Sequence, residues 1–401
     1  MLDFDIAQLR LAQAGKRPDA TETCPLYLAA GRVLAQPVVA TLDLPPADNS
    51  AMDGYAIHYA DYHAGRKFPV QQRCFAGVRP QALQDGQTIR LFTGSLMPEG
   101  ADTVVMQEDC TEADNLLEIG LEPKCGAHVR RQGEDVRKGD VLLGEGTRLE
   151  AAHIALLASQ GLVDLPVYPQ LKVGILTTGD ELTFPGQPRR NEQIFNSNGP
   201  MLAALVDQLG ARVVHVLHAL DTRSSLKKAL TTLLKDCDLI LTVGGVSVGE
   251  KDLVKPAIEQ AGGTLDLWRV CMKPGKPVAL AHARNKPIVC LPGNPVSAFS
   301  VFALLVSPLI RSMQGRCGIV PPVQFGCLKT AREFKETREE FLRVRAAPTA
   351  QSMPELIPYD KQGSGIISSL PWASGFARIR VNTVVKDGDI VPYYDYRHWL
   401  A

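Results

Sequence analysis

The stretch from Asp238 to Pro256, DLILTVGGVSVGEKDLVKP, joins an apolar run to a loop of small residues and then to an acidic cluster. Gly245, Ser247 and Gly249 lack the bulk that keeps backbone N–H groups away from an anion, so this loop can cradle phosphate. Asp252 begins a segment in which Leu253, Val254, Ala257 and Ile258 recur on one face at helical spacing. Two chemistries are open to it. A carboxylate at a helix start is favoured by the helix dipole, and the same group beside phosphate is a ligand for Mg²⁺. The local pattern alone favours the first.

Further groups of this kind follow other apolar runs. Thr177, Thr178, Gly179, Asp180 and Glu181 follow the first, Asp221 the second, and Pro292, Gly293, Asn294 and Pro295 the fourth. The segment MKPGKP carries Lys273 and Lys276, and two lysines held by Pro and Gly are placed to neutralise phosphate or an oxyanion. Asn294 can cap a helix whose first position Pro295 occupies, and the cap does not exclude a binding role. In PPADNSAMDGYAI, Asp48, Asn49, Ser50 and Asp53 crowd a tight turn, and Thr93 follows a strand directly before Gly94. Turn chemistry explains most of that cluster; which members face a polar ligand stays open.

The elements that position these groups follow from hydrophobic period. Apolar runs at Val173–Leu176, Val213–Leu217, Leu239–Val243 and Ile288–Leu291 alternate with segments of helical period, which predicts an α/β domain with a mostly parallel sheet. Ligands of such sheets collect beyond the strands' carboxyl ends, where all these loops lie. Upstream, Leu2–Ala14 and Cys24–Leu34 read as helices. From Val38 the pattern becomes short runs between glycines, clearest at Ile89–Phe92 and Thr103–Met106, which predicts a β-rich domain. Arg130–Gly146 reads as a charged loop and Leu149–Ser159 as a return to helix, so the β-rich domain reads as an insertion. Beyond Pro322, runs at Phe325–Lys329, Phe341–Arg345, Phe376–Val381 and Ile390–Pro392 predict a terminal β-domain, with Arg332–Arg345 as a solvated hairpin.

Composition narrows the partners. In 401 residues, 43 Lys and Arg balance 43 Asp and Glu, so no global field draws in nucleic acid or an anionic membrane. Nine cysteines form no CxxC pair, which argues against a zinc site or disulfide framework and for a reducing cytoplasm. The acidic, amphipathic N-terminus does not read as a secretory leader. The apolar stretch Val296–Ile310 is interrupted by serines and proline and is too short to cross a bilayer.

DNSAMDGYA, TTGDEL, VGGVSVGEKD, MKPGKP and LPGNPVSAF, with the weaker EEFLRVR and GSGIISSL, occur in an order and spacing that resembles the MoeA-type molybdopterin molybdenumtransferases, related to the C-terminal part of gephyrin. The resemblance covers essentially the whole chain. It implies a discontinuous helical linker domain (1–40 and 130–170), an inserted β-rich domain (41–129), an α/β molybdopterin-binding domain (171–315) and a C-terminal β-barrel (316–401). It also implies a homodimer in which the β-rich domain of one subunit faces the α/β domain of the other.

The implied reaction inserts molybdenum from molybdate, a co-substrate, into adenylylated molybdopterin, with Mg²⁺ and release of AMP. Asp53, Thr93, Glu181, Asp221, Asp252, Pro292 and Pro295 match family active-site positions. The resemblance moves Asp252 from helix cap to metal ligand, with Asp221 and Glu181 as further metal-site carboxylates. It assigns Lys273 and Lys276 to anion contact and Gly245 and Ser247 to the phosphates. The dithiolene sulfurs belong to the substrate, so the cysteines read as small core residues. ASGFARIR is a loose version of the family pattern, and the terminal domain is assigned no catalytic residue. No fused adenylyltransferase domain is present, so a separate molybdopterin adenylyltransferase is the expected supplier and transient partner. A catalytically inactive molybdopterin-binding scaffold and the adenylyltransferase activity itself are the alternatives. The retained acids count against the first, and the added domains against the second.

Overall fold

A computed structural model describes residues 1–245, 253–348 and 353–401. The chain divides into two compact units. One comprises Met1–Gln36, Glu145–Ile154 and Asp164–Ala401, the other Pro37–Gly144 and Ala155–Val163.

The larger unit holds a six-stranded sheet in the order Arg212–Ala219, Lys172–Thr178, Leu239–Val243, Lys286–Leu291, Pro277–Ala283, Thr264–Arg269. The first four strands are parallel and contain the four predicted runs. The last two are antiparallel and extend the sheet as a hairpin edge. That hairpin was not read from sequence. The turn from Pro277–Ala283 into Lys286–Leu291 places Arg284 and Asn285 at φ 52° and 60°, a left-handed pair that twists with the strands.

The central strands are apolar throughout because both faces are covered. Leu239, Leu241, Val289 and Leu291 pack with Leu202, Leu205 and the helical run Pro295–Met313. Ile240, Ile288 and Cys290 pack on the opposite face with Leu226, Leu230 and Leu233 of the helix Arg223–Asp236. The run Pro295–Met313 is 19 residues long with mean hydropathy 1.7, enough by composition to cross a bilayer, yet it is 94% buried in this core. The first helix, Phe4–Ala12, adds Phe4, Ala7 and Leu11 to the same cluster.

The predicted helix at Cys24–Leu34 is corrected. Glu22–Pro25 is a strand paired antiparallel with Asp164–Val167, and only Leu26–Leu28 coils, as a single 3₁₀ turn. Pro25 has no N–H to carry a helix, and Gly31 at φ 80° stops one. Ala151–Ser159 is helical as predicted.

The C-terminal strands Glu339–Ala347, Glu355–Pro358, Gln324–Leu328, Ile390–Asp395 and Gly375–Ile379 close into a barrel, the last pairing with the first. Its core includes Leu342, Val344, Leu356, Ala377 and Val391. The expected solvated hairpin at 332–345 is also corrected, because Glu339, Glu340 and Arg343 are 5%, 4% and 0% exposed. Each of these charges has a partner. Glu339 pairs with Arg378, Glu340 with Lys273, and the Arg343 guanidinium donates to the carbonyls of Lys361, Gln362 and Gly363 and to Ser369 Oγ.

The smaller unit carries a six-stranded mixed sheet that includes the predicted strands as Thr88–Leu91 and Thr103–Met106. Tyr55, Ile57, Phe68 and Val105 pack in one cluster, and Ala56, Ile89, Leu91 and Val104 in another. Of the cysteines, Cys24, Cys74, Cys237 and Cys290 are the buried small residues expected; Cys125 and Cys317 are exposed, and none of the nine is in a disulfide.

Candidate functional site

The parallel strands Lys172–Thr178, Leu239–Val243 and Lys286–Leu291 deliver their loops to one cleft of about 750 Å³, while Asp221, in the loop after Arg212–Ala219, is not among its lining residues. Its floor begins at Thr177 and Thr178. Asn196, 2% exposed, donates from Nδ2 to Thr177 Oγ1 at 2.9 Å and accepts the Gly199 N–H at 3.0 Å, which ties the strand end to the start of the helix Asn198–Gln208. Gly179 is at φ +140°, and a Cβ there would lie 2.5 Å from Glu181 Oε2. The glycine is therefore what lets the Glu181 carboxylate fold back over the turn, where it lines the cleft.

The Asp221 N–H donates to Asp180 Oδ1 at 3.2 Å, linking the loops that carry Glu181 and Asp221. Gly244, at φ +92°, passes so close to the first strand that a Cβ would sit 3.0 Å from the Thr178 carbonyl oxygen. Gly245 follows at φ +66°. Ser247 and Asp252 lie outside the described residues.

Pro292 and Pro295 form the facing wall. Pro295 occupies the first turn of its helix as predicted, and Asn294 stands at the cap position, but its side chain does not cap. Instead Asn294 Nδ2 donates to Ser364 Oγ at 3.1 Å, and the Val296 N–H reaches the Ser364 carbonyl at 3.2 Å. The C-terminal loop thereby brings Gly365 and Ile367 to the cleft. Sequence reasoning assigned that loop no part in the site, although GSGIISSL was the available signal. Asn196, Asn198 and Phe195 were also missed; each lines the cleft.

The lysines stand apart from these walls. Lys273 Nζ pairs with Glu336 Oε1 at 2.8 Å and Glu340 Oε1 at 3.1 Å, and it lines a second pocket of about 370 Å³ with Arg332 and Lys335. Burial pushes the Glu340 carboxyl above its ordinary range even though Lys273 pulls it down. Burial also works against the Lys273 ammonium, but its bonds to Glu336 and Glu340 outweigh that and raise its pKa. Lys276 is exposed. Among the described residues no three His, Cys, Asp or Glu side chains gather as a metal site.

In the smaller unit the crowded turn sorts itself out. Asp48 accepts from the Gln132 N–H at 2.8 Å and from Arg131 Nη1 at 2.7 Å, and Ser50 Oγ donates to the Met52 carbonyl at 2.6 Å. Those two serve the turn. Asp53 Oδ1 instead accepts both the Thr93 N–H at 2.7 Å and Thr93 Oγ1 at 2.8 Å, a carboxylate and hydroxyl joined at an exposed surface. These bonds, the N–H first and then the hydroxyl, hold the Asp53 carboxyl below 3.8. A depressed carboxyl contributes stability above its unfolded pKa and loses it as pH falls through the folded value, so the contribution of Asp53 is present at neutral pH and is lost in acid. Thr93→Val is expected to move Asp53 upward, part of the way to 3.8, because the N–H bond survives. A carbon NMR titration of the carboxyl reads this, and an unmoved value would deny the hydroxyl any share.

The chain matches the MoeA N-terminal region (domain I and II) over residues 3–161, a probable molybdopterin binding domain over 174–312, and the MoeA C-terminal region (domain IV) over 327–396. It is 35% identical to the molybdopterin molybdenumtransferase of Haemophilus influenzae over the full length of both chains. The chain belongs to the MoeA-type molybdopterin molybdenumtransferase family. It is thus a transferase of molybdenum cofactor biosynthesis. The Nostoc molybdopterin molybdenumtransferase is 40% identical over 74% of this chain and 70% of its own. Among solved structures, the molybdopterin biosynthesis MoeA protein of Pyrococcus horikoshii superposes with a TM-score of 0.81 at 28% identity, covering 99% of each chain.

Proposed function

We propose that this enzyme inserts molybdenum from molybdate into the dithiolene of adenylylated molybdopterin and releases AMP in a Mg²⁺-dependent reaction. The observation that carries this reading is the cleft itself. A 750 Å³ recess at the carboxyl ends of three parallel strands, walled by glycine, proline and amides and entered by the Glu181 carboxylate, is sized for a small ligand and open to close backbone approach.

Each group then has a task. Gly245 and Ser247 cradle the phosphates with backbone N–H and hydroxyl donors, while Pro292 and Pro295 hold the opposite wall. Both substrates are anions, so Lys273 and Lys276 supply positive charge on their approach. The carboxylates fit Mg²⁺, which takes one or two protein carboxylates and fills its remaining positions with water and phosphate oxygens. Asp252 would hold it, with Glu181 and Asp221 oriented toward its waters. When bound, the ion offsets the charge of the phosphate oxygens and eases departure of AMP. Asp53, held in place by Thr93, acts as a fixed acceptor toward the reacting groups. The enzyme works as a homodimer and receives its substrate from a separate molybdopterin adenylyltransferase in transient contact.

Release of AMP from adenylylated molybdopterin, measured with molybdate and Mg²⁺ present or withheld, tests the reading. Release that depends on both supports it. Binding of the substrate without any AMP release would make the protein a scaffold.

The turn at Gly179 offers an independent check. Gly179→Ala adds a Cβ where the Glu181 carboxylate rests, and AMP release is expected to slow roughly tenfold or more through misplacement of that group. Wild-type rates in this variant would remove Glu181 from the reaction.

A further inference from the structure

Phe195 is held firmly at its backbone and left half bare at its side chain. The strand Ile194–Phe195 pairs in parallel with Leu182–Thr183. Immediately beyond it, the Asn196 N–H donates to the Thr183 carbonyl at 2.8 Å, and the Asn196 side chain is buried between Thr177 and the helix Asn198–Gln208. A strand pinned in this way does not swing its side chains out by slack. Yet Phe195 is 48% exposed, lines the cleft and makes no ring–ring contact with another aromatic among the described residues. Apolar area left in water costs free energy in proportion to its extent, so a ring fixed at the mouth of a ligand cleft is stabilised by whatever covers it.

Resting on the reaction proposed above, we propose that Phe195 is the stacking platform for a flat nitrogen heteroaromatic ring of the substrate, its pterin or its adenine. The surroundings select this chemistry. The ring's strand runs directly into Ser197 and Asn198, both on the cleft wall, so polar groups stand beside an aromatic face as the edge and the face of a heterocycle require. Asn198 Nδ2 donates to the Gly293 carbonyl at 2.6 Å, which fixes that amide beside the segment that carries Pro292 and Pro295. The Ser197 hydroxyl does not cap the helix it precedes. A cleft of about 750 Å³ also suits a small molecule better than a protein segment.

The test titrates AMP and unsubstituted pterin separately into wild type, Phe195→Ala and Phe195→Tyr, each checked for an unchanged melting temperature. Phe195→Ala is expected to weaken one of the two probes roughly tenfold, the size of one base–aromatic stack, with Phe195→Tyr close to wild type. The affected probe identifies which ring lies on Phe195. Wild-type affinity for both probes in Phe195→Ala would overturn the platform while leaving the reaction standing, and the exposed ring would then be a protein contact. Failure of the wild-type enzyme to bind either probe would overturn both.

Discussion

Asp53→Asn is expected to reduce molybdenum insertion by about 10²- to 10⁴-fold, the range lost with a positioned ionised group in a transition state. The substitution is a clean test of charge. Asn keeps an oxygen that can accept both bonds from Thr93, which are 2.7 and 2.8 Å in the wild type, so the geometry survives and only the negative charge is removed. Asp53 is only half-buried and keeps its bonds as Asn, so the melting temperature is expected to hold. Retained activity would show that the carboxylate serves the turn alone. Asp252→Ala makes a matching experiment on the carboxylate assigned to the metal, with loss of AMP release expected. Normal turnover there would remove Asp252 from metal binding.

Arg378→Met is expected to cost about 3–5 kcal/mol of stability, the toll of leaving one buried ion without its partner. Arg378 is 4% exposed and Glu339 is 5% exposed. Arg378 Nε donates to Glu339 Oε2 at 2.5 Å, and the two Nη atoms hold the Asp5 carboxylate at 2.7 and 2.9 Å. The Tyr394 hydroxyl at 3.2 Å and the Phe4 ring at 4.8 Å complete its surroundings. Burial opposes the charge, but the bonds to Asp5 and Glu339 more than offset it and raise the guanidinium pKa above its ordinary value. One arginine therefore joins the first helix to the closing barrel. Denaturant unfolding measures the loss. The double variant Arg378→Met/Glu339→Leu is expected to recover part of it, since removing both charges also removes the unpaired one. A wild-type midpoint in Arg378→Met would mean that the pair adds nothing to stability.

The same region shows where sequence reading stops. Glu339, Glu340 and Arg343 are read from composition as solvated because charge ordinarily stays in water. Their burial depends on partners distant in sequence, Arg378, Lys273 and the carbonyls of 361–363. The segment 24–34 failed as a helix for a similar reason, since its pairing partner is Asp164–Val167. By contrast, the parallel strands of the α/β domain are legible because a strand covered on both faces must be apolar at every position.

Residue types and spacing by themselves determined the α/β domain, the β-rich and terminal β-domains, the family, and the loops that carry Glu181, Gly244–Gly245 and Pro292–Pro295. Short-range rules govern these, through hydrophobic period, glycine at positive φ and proline in a first helical turn. Only the tertiary structure decided that Asp53 and Thr93 form a bonded pair while Asp48 and Ser50 serve the turn, that Lys273 faces two carboxylates, and that Gly365 and Phe195 line the cleft. Those outcomes rest on hydrogen bonds and packing between residues far apart along the chain. Local pattern does not encode such pairings, because each partner alone has an equally good place in solvent.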